Sequence, residues 1–222
     1  MAPGTLVIFH TLQQRIFVAG NDKQMVNEQA ALEYLKEKIK AFISIEADDM
    51  EAIVSQFECR KIAKDDFLLH EDEYCNFWGF IFEGLVRVYT YTEKAEEYTN
   101  GFAREGSFIT ESASFFTQSP ALENMVALED TLLIVTDYSK LQQLFNDYPV
   151  FEKFARILYE SRLAEFKRRI HHRIHFDAQT RYLYFIENQP ELARRLPLKH
   201  IASYLNITDS TLSRIRRKIV HS

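Results

Sequence analysis

Cysteine is nearly absent: Cys59 and Cys75 are the only two in 222 residues. They form neither a metal-type pair nor a disulfide framework, so a reducing cytoplasm is the expected compartment. Long apolar runs are missing as well. None approaches the roughly 20 residues a membrane helix needs, so no membrane is expected as a partner. Leu6–Phe9 is too short for the core of a secretion signal, and no Ala-x-Ala-like cleavage site follows it. Neither a nucleophile motif nor a glycine-rich phosphate loop occurs. The stretch that reads as strands holds one histidine, His70, where a metal-dependent β-barrel enzyme needs two or three plus a carboxylate. The chain is therefore not expected to be an enzyme.

What is present is a division of charge. The net charge of −5 is the balance of two unlike parts. Residues 153–222 carry 15 lysines and arginines against 6 acids, and residues 1–152 carry 12 against 26. A basic C-terminal third on an acidic body is the footprint of a polyanion-binding module. Hydrophobic residues make up 46% of the chain and aromatic residues 14%, enough for a well-buried core in one or two domains.

The apolar periodicity divides the chain further. Residues 1–24 read as a flexible extension or as the product of an upstream misread start codon, with no assigned function. From Met25 an amphipathic helix is expected, with Ala30, Leu32, Leu35, Ile39 and Phe42 at helical spacing. Between Phe57 and Asp137 the pattern changes to short aromatic and β-branched runs, among them Phe77–Phe82 and Leu85–Tyr91. Glu83-Gly84 between those two offers the positive φ of a tight hairpin. Later runs at Glu97–Ala103, Met125–Leu128 and Thr131–Thr136 complete an all-β sandwich or barrel. Pro149 then opens a helix reaching about Arg173. Its apolar stripes, Phe151, Phe154 and Leu158, then Tyr159, Leu163, Phe166 and Ile170, exceed what one face needs. A parallel helix pair across a homodimer would cover them. Phe176-Asp177 reads as a hinge, with Asp177 capping a helix from Ala178 to about Ile186. Asn188-Gln189-Pro190 and Pro197 mark further breaks.

Residues 198–219 carry the most specific signal, a helix-turn-helix. Ala202 supplies the small residue at the helix crossing, Asn206 tolerates the left-handed turn, and Thr208 is placed to cap the second helix. Ile201, Leu205, Ile207, Leu212 and Ile215 have the spacing of two crossed apolar faces. With Leu212, Ile215 and Ile219 inward, Asp209, Ser210, Ser213 and Arg214 face outward toward base edges. Arg214 is the candidate for bidentate contact with guanine. Asp209 can accept from a cytosine amine or simply favour the positive helix N-terminus. Thr208, Arg216, Arg217 and Lys218 are assigned to phosphates.

The order of a β-roll, a long helix, a hinge and a C-terminal helix-turn-helix over residues 27–221 resembles the Crp/Fnr transcription regulators. The segment Pro197-Leu198-Lys199-His200-Ile201-Ala202-Ser203-Tyr204-Leu205, continuing to Thr211-Leu212-Ser213-Arg214-Ile215-Arg216, is similar to a branch common in Bacteroidetes. The resemblance implies an α+β fold. It would comprise a double-stranded β-helix of cyclic-nucleotide-binding type (25–147), a dimerisation helix (148–175) and a winged helix-turn-helix (176–222). It also implies a homodimer reading an inverted repeat in double-stranded DNA, RNA polymerase as a further partner, and a small-molecule effector. The implied effector pocket comprises Phe108, Glu111, Ser112, Asn124, Phe166 and Lys167. Of the family's nucleotide cassette only the ribose-holding glutamate is matched, by Glu111. The phosphate-binding arginine would fall within Glu123-Asn124-Met125, where there is none, and a buried phosphate beside an acid is repelled.

Cyclic AMP is therefore not expected to bind, and the switch is expected to use another effector or none. Two cysteines cannot hold an iron–sulfur cluster, and His70 and Cys75 alone offer a haem ligand in the roll, so no cofactor is expected. His171 and His175, at i and i+4, can hold a metal or form a polar helix end beside the hinge. Two alternatives stand beside this regulator: a cyclic-nucleotide-responsive one, and a dimeric ligand sensor that does not bind DNA.

Overall fold

The computed structural model describes the backbone of residues 20–220 and the side chains of 27–219. Most of the 1–24 segment lies outside the described residues. Helix α1 (Gly20–Lys40) begins five residues before the expected Met25. Its buried stripe is Ala31, Leu35 and Ile39, with Ile43 beyond the helix end. Ala30 and Leu32 flank that stripe, and Phe42 is exposed at the end. Helix α2 (Ala47–Val54) follows and buries Met50, Ile53 and Val54.

Eight strands then form two four-stranded antiparallel sheets facing each other. They are β1 (Glu58–Ile62), β2 (Phe67–Leu69), β3 (Trp78–Glu83), β4 (Leu85–Tyr91), β5 (Glu97–Arg104), β6 (Phe108–Ile109), β7 (Asn124–Ala127) and β8 (Thr131–Thr136). The sheet orders are β1-β8-β3-β6 and β2-β7-β4-β5. Gly84 has the expected positive φ, +111°, but β3 and β4 belong to different sheets and do not pair. Glu83-Gly84 is thus a corner from one sheet to the other, not a hairpin turn. A side chain at Gly84 would strike Thr131 at 2.3 Å, so the corner needs glycine for space as well as for φ. The true hairpin joins β4 to β5, where Tyr91 pairs with Glu97. Helix α3 (Ser112–Thr117) lies between β6 and β7, and α4 (Tyr138–Asp147) follows β8.

Helix α5 (Pro149–His175) has 27 residues, about 40 Å at 1.5 Å per residue. Its first turns plug the roll. Phe151 and Phe154 are fully buried, with ring centroids 6.1 Å from Trp78 and Phe80 respectively. Each such ring contributes roughly 1.5–3 kcal/mol. The Trp78 indole donates to the Tyr159 hydroxyl at 3.0 Å, and Leu158 packs on the same core. Phe151, Phe154, Leu158 and Tyr159 are therefore intrachain core, not part of a dimer seam: the roll reaches them first. Leu163, Phe166 and Ile170 are left 60%, 50% and 41% exposed, joined by Ile174 at 69%. These four fall on one exposed stripe of the helix, at successive spacings of three, four and four residues.

After the hinge come α6 (Ala178–Asn188), α7 (Pro190–Arg195), α8 (Leu198–Tyr204) and α9 (Asp209–Val220). Asp177 caps α6 by accepting from the Thr180 N–H at 2.7 Å. Among the described residues no strand follows Thr136, so the described part of the head is helical and does not include the expected wing. Pro190, at the first position of α7, starts a helical turn in the segment between α6 and the helix-turn-helix. Tyr182, Phe185, Leu192, Leu196, Ile201, Ala202, Leu205, Leu212 and Ile215 form the core of the head. One residue of the roll, Leu85, is fully buried in that same cluster.

Candidate functional site

The helix-turn-helix is built by local chemistry. Asn206 takes the left-handed conformation with φ +55°. The turn then closes with Asn206 N–H to Ser203 C=O at 3.1 Å and Ile207 N–H to Ala202 C=O at 3.0 Å, a helix-ending motif. Thr208 caps α9, its Oγ1 accepting from the Thr211 N–H at 3.2 Å. Leu212 and Ile215 are buried and Ile219 packs against the same core. Asp209, Ser210, Ser213, Arg214, Arg216 and Arg217 are all exposed. Ser210, Ser213, Arg214 and Arg217 share the face opposite the buried stripe, so Arg217 lies on the same surface as Arg214, one turn further on. Lys218 instead donates to Gln179 of α6 at 3.3 Å, turned toward the flank.

Three further side chains hold this unit in place, none of them singled out by sequence motifs. Arg181 of α6 donates to the Phe176 carbonyl at the hinge, 2.6 Å, and to the Leu205 carbonyl at the turn, 3.2 Å. Ser203 of α8 reaches strand β5, and Arg195 at the end of α7 reaches the roll. His200 is buried between α8 and the roll. Burial first, then the charges of Arg87 and Lys199, push its pKa down to about 4, against the opposing pull of Glu97. It is neutral at physiological pH.

The expected effector residues divide between buried and exposed positions. Phe108 is a core residue, its ring 4.8 Å from Trp78 and 5.4 Å from Tyr159. Asn124 is buried and turned to Glu71, accepting from its N–H at 3.1 Å. Glu111 is buried as the N-cap of α3, accepting from the Ala113 N–H at 3.3 Å and the Ser114 N–H at 2.5 Å. Ser112, Phe166 and Lys167 are exposed. What the structure places near Glu111 is Glu123. Its carboxylate accepts from the Asn100 amide at 2.8 Å. Burial and then the Glu111 charge push the Glu123 carboxyl up, opposed by that bond and by Arg169 and Arg162 of α5. A phosphate placed at this acid pair would be repelled by it, with Arg162 and Arg169 of α5 as the nearby cations.

The histidines at the end of α5 pack locally. The His171 and His175 rings lie 4.4 Å apart. His172 stacks on Phe176 at 4.8 Å and meets Tyr184 of α6 edge-on at 4.3 Å. Among the described residues no group of three or more His, Cys, Asp or Glu could hold a metal. No described helix is long and apolar enough to cross a membrane.

Residues 59–148 match the family model of the cyclic nucleotide-binding domain. No curated protein matches the chain in sequence. Among solved structures the chain is similar to CLP, the c-di-GMP-responsive global regulator linking cell–cell signalling to virulence gene expression in Xanthomonas campestris. Identity is 18% and TM-score 0.62, over 79% of this chain and 92% of that one. It is also similar to FixK2 of Bradyrhizobium japonicum, at 18% identity and TM-score 0.64 over 74% and 85% of the two chains. The catabolite activator protein of Thermus thermophilus matches at 17% and 0.53, over 83% and 87%. These likenesses establish the fold: a β-roll of cyclic-nucleotide-binding type followed by a long helix and further helices, as in Crp/Fnr regulators.

Proposed function

We propose that the chain is a sequence-specific, DNA-binding transcription regulator of the Crp/Fnr type, acting as a cytoplasmic homodimer and not as an enzyme. The observation that carries this reading is α9. Its inner face is buried against α8 across a left-handed turn, while Ser210, Ser213, Arg214 and Arg217 stand exposed on the opposite face. Arg214, with Asp209, Ser210 and Ser213, reads base edges. Thr208, Arg216 and Arg217 hold phosphates, and Lys218 joins them from the flank. The Leu163, Phe166, Ile170 and Ile174 stripe supports pairing of two long helices, which sets two reading heads on an inverted repeat. RNA polymerase is the further partner of such a regulator.

The acid pair Glu111 and Glu123 supports a switch that does not use cyclic AMP. An effector of another chemistry, or none, governs it, and no metal or other cofactor takes part. Cyclic AMP is expected to leave both melting temperature and DNA affinity unchanged.

Fluorescence anisotropy on arbitrary duplex at low salt tests the central reading. Binding that weakens steeply as salt rises is expected; its absence even at low salt would favour a dimeric sensor that does not bind DNA. Arg214→Ala is expected to cost about 1–3 kcal/mol on the target site and relax discrimination at one G·C pair. Unchanged discrimination would remove Arg214 from the base-reading set.

A further inference from the structure

The head is fastened to the roll by polar pins on α7 and α8, and the strongest is Arg195. Its guanidinium makes five N–H···O contacts, one Nη2 hydrogen being shared between two acceptors. Nε and Nη2 bind the two Glu129 oxygens at 3.0 and 2.6 Å. Nη1 and Nη2 bind the two Glu105 oxygens at 2.8 and 2.9 Å, and Nη2 also reaches the Gly84 carbonyl at 3.2 Å. The Gly84 N–H in turn donates to Glu105 at 3.0 Å. The pin therefore grips the corner where the roll's two sheets join, and Leu85, the next residue, is buried in the head's core.

The second pin acts on an edge. Strand β5 ends its sheet, so part of its backbone would otherwise lack partners. Ser203 Oγ accepts from the Thr99 N–H at 2.9 Å and donates to the Glu97 carbonyl at 3.0 Å. Arg169 lies between the three parts. It is 3.6 Å from where a Gly101 side chain would begin, and its guanidinium is 5.8 Å from the Tyr204 ring centroid. The two-residue hinge is tied as well, through Arg181 and the Asp177 cap. None of these contacts covers the exposed face of α9.

We infer that Arg195, clamped by Glu105 and Glu129, is a positioning residue that fixes the reading head to the roll at one angle, so that two half-sites are read only at a set separation. This rests on the DNA-reading function proposed above. Two heads on one paired helix bind as linked modules, and the gain from linkage exists only where geometry lets both engage together. A guanidinium held by two carboxylates and a carbonyl in a planar fork fixes direction as well as distance. The contact spends no residue of the reading face, so its loss loosens the angle without altering base contacts.

The test uses the full chain, with Arg195→Met, Arg195→Lys and the double variant Glu105→Gln/Glu129→Gln. The probe is the duplex enriched by the wild type from a random library, together with its single half-site and a version lengthened by two base pairs between half-sites. Arg195→Met is expected to lose about 10- to 100-fold on the paired site. Half-site affinity stays the same, and discrimination against the lengthened duplex falls. The double variant should behave likewise, and Arg195→Lys should recover part of the loss.

Unchanged affinity and spacing discrimination in Arg195→Met would overturn the inference, as would an equal loss on the half-site. A second readout needs no DNA and keeps the two proposals separable. Amide hydrogen exchange at Thr99 should quicken in Arg195→Met while the β4–β5 ladder stays protected; continued protection of Thr99 overturns the inference. A wild type that enriches no duplex overturns the reading function instead.

Discussion

Two pairs of glutamates on the same roll meet opposite fates. Glu105 and Glu129 face Arg195 of the head, whose guanidinium binds all four of their oxygens. Burial pushes the Glu105 carboxyl upward, yet the bonds from Arg195 and the backbone outweigh it and hold it below the ordinary value. Glu111 and Glu123 face each other, and burial with that mutual repulsion pushes Glu123 up. Both pairs are partly withdrawn from water, so burial does not separate them. A cation in hydrogen-bond contact does. The first pair joins two domains; the second holds unfavourable charge beside the long helix.

Acid should break the first arrangement and relax the second. The largest effect comes from His200 in the same head–roll contact, facing Arg87, Glu97 and Lys199. Its folded pKa of about 4 lies below the ordinary 6.5, so the unfolded chain binds the extra proton between those values. Stability is then fully present above pH 6.5 and drains as pH falls toward 4. The expected loss is about 3 kcal/mol. Glu105, with its lowered pKa, loses its contribution in the same direction at still lower pH. Urea unfolding followed at pH 7 and pH 4.5 measures the slope, and His200→Gln should flatten it. Equal slopes in the two proteins would show that His200 does not couple the head to acid.

Removing Arg195 is the next effect in size. Arg195→Met strands two carboxylates that are only partly buried, so the cost is smaller than for a fully buried pair, about 2 kcal/mol. A parallel variant, Glu105→Gln, removes the charge but keeps one of the two acceptor oxygens, and should cost less. The two costs should not add when the changes are combined, because both remove one network. Additive costs would mean that Arg195 and Glu105 act independently.

What could be read before the structure was what neighbouring residues decide among themselves. Asn206, Thr208 and the Leu212–Ile215 spacing lie within one short segment, and each does what its chemistry predicts. Gly84 was legible as a positive-φ position, but not as a corner, because sheet membership depends on β8 and β5. Phe151 and Phe166 have the same helical periodicity. Only the position of the roll shows that the first is core and the second is exposed. Arg195 meets residues 66 and 90 positions away, and Glu123, just before β7, meets Asn100 on β5. No spacing rule announces such pairs. Order of elements alone does not specify a wing, whereas Pro190 at a first helical position favours a helical turn.

The smallest effect carries the opposite sign and tests the second pair directly. Replacing Glu123 by glutamine keeps the shape and the acceptor for the Asn100 amide, while removing the charge that Glu111 opposes. Because the folded carboxyl is raised, the folded state binds the proton more tightly, and ionised Glu123 costs stability at neutral pH. Glu123→Gln should therefore stabilise the roll at pH 7 by about 0.5–1 kcal/mol. That gain should vanish once pH falls below the ordinary carboxylate value, where the wild-type acid is neutral too. Thermal melting at pH 7 and pH 4 checks both halves. A loss of stability at pH 7 would mean that Arg162 and Arg169 outweigh burial and repulsion, and that the two glutamate pairs are alike after all.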